Sequence, residues 1–128
     1  MNRSILDKHL KKLTSELAEM GSLVEKQIYD SIKALKNNDL KLADQAIKND
    51  DKVDELNRRI EEKCIIYMAT ESPLATDLRK MFATSKIVTD LERIADYAVD
   101  IAKIAKRVEV DPLGEEEVPL WNMVDILS

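Results

Sequence analysis

With 128 residues and a mass of 14.6 kDa, the chain has room for one modest core. Charged residues make up 35 % of it, and 20 Lys and Arg against 25 Asp and Glu leave a net charge of −5. That balance, with its bases scattered and not gathered in a run, argues against nucleic-acid binding, which depends on phosphate neutralisation by Lys and Arg. Two Gly, one Cys and one His exclude more. A dinucleotide fingerprint needs three glycines, a phosphate loop needs a spaced Gly pair before Lys, a structural zinc site needs about four Cys or His, and an internal disulfide needs a second Cys. Helix formers dominate, and so few Gly and Pro do not suit a sheet protein with many tight turns.

The first predicted element runs from Arg3 to Leu35. Its apolar residues, Leu6, Leu10, Leu13, Leu17, Met20, Val24, Ile28, Ile32 and Leu35, recur every three or four positions, which is helical and close to heptad. Gly21 lies inside this pattern and allows a bend, but the stripe continues through it. Asn37-Asn38-Asp39 breaks the chain, with Asp39 or Asn38 as helix cap. A second helix is predicted from Leu40 to Thr70, with the inward stripe Ala43, Ala46, Asp50, Val53, Asn57, Ile60, Cys64 and Tyr67. Glu71-Ser72-Pro73 ends it, with Ser72 as cap and Pro73 as the first residue of a third helix reaching Val108. That helix carries two stripes. One is Leu74, Leu78, Met81, Ser85, Val88, Glu92, Ala95, Val99 and Ala102; the other is Phe82, Leu91, Ile94, Ala98, Ile101 and Ala105. An arc so wide should touch two neighbours.

Residues 109–119, with Pro112, Gly114 and the acidic run Glu115 to Glu117, read as a linker, and Leu120 to Ser128 read as the start of a fourth helix. Short connections force antiparallel neighbours. The expected fold is therefore all-α: an elongated antiparallel three-helix bundle over residues 1–108, followed by 109–128 as linker and truncated helix. No stretch approaches the roughly 20 apolar residues that span a bilayer. Met1 to Lys12 is charged and lacks the apolar centre of a signal peptide, so a cytoplasmic location is expected.

Only carboxylates are abundant enough to build a site. Glu92, Asp96 and Asp100 lie four apart and share one helix face; their repulsion would reverse if a cation bridged them. Asp50, Asn57 and Glu61 form an oxygen-bearing row on the second helix. Facing one another, the two rows would suit Mg²⁺, Mn²⁺ or iron. The competing reading is that acid pairs four apart are common in so charged a chain and pair with Lys or Arg, such as Arg93 and Lys103. A polar residue such as Asp50 or Asn57 on an apolar stripe also fixes helix register. His9 lacks a Glu three residues before it, so a di-iron or di-manganese oxidase does not fit; it reads as a surface or helix-end residue. Cys64 reads as a small core hydrophobe. No nucleophile with a paired base is visible, and no enzyme is expected.

Leu74-Ala75-Thr76-Asp77-Leu78-Arg79, followed by Lys86-Ile87-Val88-Thr89-Asp90-Leu91-Glu92-Arg93-Ile94-Ala95-Asp96-Tyr97-Ala98, resembles the PhoU family of phosphate-signalling regulators. Glu19-Met20-Gly21 through Val24-Glu25 and Ile60-Glu61-Glu62-Lys63-Cys64 fit the same pattern, so the resemblance covers residues 1–108. It implies one repeat of a protein with two three-helix repeats, each carrying Glu/Asp-x-x-x-Asp motifs that bind metal clusters in some members. Glu92 and Asp96 match that motif directly; Asn57 and Glu61 match it with an amide in place of the first acid. Asp77 and Arg79 are implied as a regulatory, partner-binding surface. The resemblance further implies a negative regulator of phosphate uptake and the phosphate regulon. It would be an adaptor between the ATPase of a phosphate ABC transporter and a sensor histidine kinase, reaching the membrane only through these partners. A homodimer is expected, with iron, zinc, manganese or magnesium as the metal. A purely structural helical adaptor without metal is the alternative. The length suggests an N-terminal half, with Trp121, Met123, Val124 and Leu127 awaiting packing partners.

Overall fold

A computed structural model describes residues 3–110, and among them there are three helices and no strand: α1 (Arg3–Asn37), α2 (Leu40–Thr70) and α3 (Ala75–Val110). The linker from Pro112 and the fourth-helix segment from Leu120 lie outside the described residues. At 1.5 Å per residue, helices of 35, 31 and 36 residues are about 52, 46 and 54 Å long. Each packs against both others, giving the expected antiparallel up-down-up bundle.

Local chemistry sets the boundaries. At the end of α1, Asn38 takes the left-handed conformation (φ 54°), and the Asp39 N–H donates to the Ala34 carbonyl at 3.0 Å. This six-residue closure is a Schellman motif. Asp39 also opens α2: its carboxylate accepts from the Leu42 N–H at 3.1 Å and its carbonyl from the Ala43 N–H. Between α2 and α3, Glu71 caps the helix by donating its N–H to the Tyr67 carbonyl, and Ser72 turns the chain with φ 44°. The expected start of α3 shifts here. Ser72 is the left-handed exit residue of α2 and not a cap, and helix begins two residues after Pro73. Leu74 is the capping position, because the Asp77 carboxylate reaches back to accept its N–H at 2.9 Å. That is the returning half of a capping box.

The core divides into two clusters along the bundle axis. At the end holding the α2–α3 turn, Leu6, Leu13, Met20, Val24, Val53, Ile60, Met81 and Val88 interlock. At the end holding the α1–α2 turn, Ala34, Leu35, Ala43, Ala46, Ala102, Ala105 and Val108 pack together. Small residues there permit close backbone approach. The predicted stripes agree except at their edges. Leu56 is buried although it lies off the predicted α2 stripe, whereas Leu74, Phe82 and Ile94 of the predicted α3 stripes are exposed. Three helices enclose a narrow seam, and an arc wider than that seam leaves its margin in solvent.

Candidate functional site

The α2–α3 seam gathers the polar residues that the apolar stripes carry. Asn57 Nδ2 donates to Glu92 Oε2 across the seam. One turn further along, Ser85 Oγ donates to the Glu61 carboxylate at 3.0 and 3.2 Å. Both carboxylates are half-buried. These two bonds set an antiparallel register in which residues before Asn57 on α2 oppose residues after Glu92 on α3.

In that direction the seam becomes acidic. The Glu92 carboxyl is pushed up from its ordinary pKa by burial and by the charges of Asp54, Asp96 and Asp50, against the opposing Asn57 hydrogen bond. Asp54 is likewise pushed up by burial and then by Asp50, Asp96 and Asp51, with Arg58 opposing. Four carboxylates from two helices therefore feel one another: Asp50 and Asp54 from α2, Glu92 and Asp96 from α3. Asp50 is tied inward as well. Gln27 of α1, fully buried, donates through Nε2 to Asp50 Oδ1 at 3.2 Å and to the Ala46 carbonyl at 3.0 Å. Asp100 lies exposed one turn beyond Asp96.

Of the candidate metal residues, Asn57 and Glu92 meet across the seam, and Asp96 stands exposed one turn along α3 from Glu92, close enough for its charge to act on it. Glu61 sits a turn away, bonded to Ser85, and Asp100 lies at the opposite, exposed end. Asp54 is the residue that sequence reasoning missed. Asp50-x-x-x-Asp54 has the same spacing as Glu92-x-x-x-Asp96, but Asp54 lies off the apolar stripe, beside Val53, where the helical periodicity does not mark it. Among the described residues, no three His, Cys, Asp or Glu side chains converge in a metal-ligand arrangement. The donors are hard oxygen atoms, the chemistry that suits Mg²⁺, Mn²⁺ or ferric iron.

The candidate partner-binding pair separates. Asp77 is fully buried and closes the start of α3, whereas Arg79 is exposed. His9 is tied into the molecule: its ring stacks on Tyr67 with centroids 4.5 Å apart, and Nδ1 lies 2.8 Å from Oε1 of the buried Glu71. This pairing joins the start of α1 to the end of α2. Glu16 of α1 pairs with Lys63 of α2, and Arg59 lies 4.0 Å away. Cys64 is buried, and burial with the nearby Glu61 charge pushes its thiol pKa up, as befits a core residue. No helix among the described residues is long and apolar enough to cross a membrane.

Comparison with known proteins places this geometry in context. The PhoU domain family model matches residues 17–105. A phosphate-specific transport system accessory protein PhoU homolog of Clostridium acetobutylicum is 47 % identical over 124 residues, which is 96 % of this chain and 57 % of that protein. A PhoU homolog of Rhizobium meliloti is 42 % identical over 100 residues, 78 % of this chain and 42 % of its own. The phosphate-specific transport system accessory protein PhoU of Serratia marcescens is 38 % identical over 119 residues, 93 % of this chain and 47 % of its own. The chain thus spans about half the length of these relatives. No solved structure matches it significantly.

Proposed function

The chain belongs to the PhoU domain family, and from that premise we propose that it acts as a non-catalytic accessory and negative regulator of phosphate transport. The long helical faces serve as an adaptor between the transporter ATPase and a sensor histidine kinase, and a cation bound at the α2–α3 seam sets the state of that face. The observation that supports the metal reading is that two acid pairs of the same spacing, Asp50 and Asp54 on α2 and Glu92 and Asp96 on α3, lie within electrostatic reach of one another across the Asn57–Glu92 hydrogen bond. Like charges held together by packing repel, and a cation between them turns that repulsion into attraction. Asp54, Glu92 and Asp96 would provide the charge, and Asn57 would keep Glu92 oriented. A metal-free adaptor is the second reading, favoured by the hydrogen bonds that Glu92 and Glu61 already accept.

One experiment separates the two readings. The wild type and a variant carrying Asp54→Asn, Glu92→Gln and Asp96→Asn are each loaded with iron, manganese, zinc or magnesium and analysed for bound metal. Both are also expressed in a strain deleted for its own copy, with phosphate-uptake gene expression read in rich phosphate. The expected result is near-stoichiometric metal and repression for the wild type, and loss of both in the variant. Repression by a variant that has lost its metal would support the metal-free adaptor. Derepression with the wild-type protein would overturn the regulatory reading.

A further inference from the structure

The seam that is acidic at one end is apolar at the other. Ser85 on Glu61 fixes which residues face each other: four positions on from Glu61 is Ile65, and three back from Ser85 is Phe82. Steps of three and four keep a residue on the same helix face, so Ile65 and Phe82 flank the same seam at the same height. Both stand in solvent, Ile65 at 65 % and Phe82 at 62 % exposure. A single exposed apolar side chain is ordinary, but two opposed across one groove form a patch. Half-buried Met68 and Leu78 lie one further turn along. From Phe82 to Asp96 the rise along α3 is about 21 Å, and from Ile65 to Asp54 along α2 about 17 Å. One groove therefore offers an apolar anchor point and, three to four helical turns away, a concentration of negative charge.

We propose that this groove docks an amphipathic helical segment of a partner protein, with apolar side chains seated on Ile65 and Phe82 and Lys or Arg facing Asp54 and Asp96. Charge complementarity selects the partner's chemistry: the acidic end repels an acidic segment and steers a basic one into register. The apolar end supplies affinity by burying two large side chains. This surface needs no metal. A cation at the acidic end would neutralise the carboxylates that the basic residues face, so cation and partner compete.

The test uses the full chain with EDTA present, which keeps it independent of the metal reading. The probe is a fluorescein-labelled helical peptide of about 16 residues, with three Leu in its first turns and three Lys about three turns later. A second peptide carries Glu for each Lys. Binding is followed by anisotropy at two salt concentrations. The Lys peptide is expected to bind at least tenfold more tightly than the Glu peptide. Ile65→Ser with Phe82→Ser is expected to weaken it at least tenfold. Asp54→Asn with Asp96→Asn should weaken it and flatten its salt dependence. All four residues are exposed, so the variants should keep wild-type circular dichroism. Equal affinity for the two peptides, or binding unchanged in the apolar variant, would overturn the proposal. So would a wild-type dimer in sedimentation that Phe82→Ser dissolves, since the groove would then close on a second copy.

Discussion

Asp77 and Glu92 show how differently two acids on one helix are used. Asp77 is sealed from solvent and accepts the Leu74 N–H, so its charge meets the positive end of the α3 dipole. Glu92 sits among other carboxylates, and its pKa, like that of Asp54, is raised above the ordinary 4.5 and 3.8. The folded chain therefore holds these protons more tightly than the unfolded chain does. Ionisation costs stability above the folded-state pKa values, and that cost disappears as pH falls through them toward the ordinary values. Glu92→Gln keeps an oxygen to accept from Asn57 while removing one charge. It should raise stability at pH 7 by about 0.5 kcal/mol, the scale of a like-charge pair four apart. Urea denaturation at pH 7 and again near pH 5 should show the gain shrinking at the lower pH. At this scale the third-helix pair was legible in the sequence from spacing alone. Asp54 was not, because its approach to the acids of α3 depends on how the two helices pack, and no single periodicity reports that.

The helices were the most legible level. Their stripes run for 31 to 36 residues, and over such lengths helical periodicity has no competitor. The ends were less legible. Asp39 announces itself as a cap, whereas the start of α3 turned on Asp77 reaching backward, and Pro73 drew the predicted boundary two residues early. Gly21 allowed a bend in prospect, yet α1 continues through it, and a Cβ placed there meets nothing within 4 Å. Glycine inside a helix costs backbone entropy without any compensating close approach at this position. Gly21→Ala should therefore stabilise the protein by about 1 kcal/mol, read as a higher urea midpoint with an unchanged slope. A loss of stability would mean that the glycine accommodates something against α1.

The bundle as a whole has two unlike ends, one packed with Leu, Met and Val and one packed with Ala. The Ala-rich end should be intolerant of bulk. Ala102→Leu, at a position with no exposure, should cost about 2 kcal/mol by forcing three helices apart, measurable by thermal or urea unfolding. Between the two ends, Gln27 and Ser31 of α1 are sealed from solvent, and Gln27 reaches both the Ala46 carbonyl and Asp50. An apolar seam with a heptad repeat tolerates sliding by seven residues, since Leu meets Val almost as well in either place. An amide does not. Displaced by one heptad along α2, Gln27 would face Ala43 or Asn57 instead of Asp50, and its donor would need a new acceptor away from water. Gln27 thus works as a key cut for one alignment of α1 with α2. Because α3 packs on both, that same key determines which acids of α2 stand opposite which acids of α3.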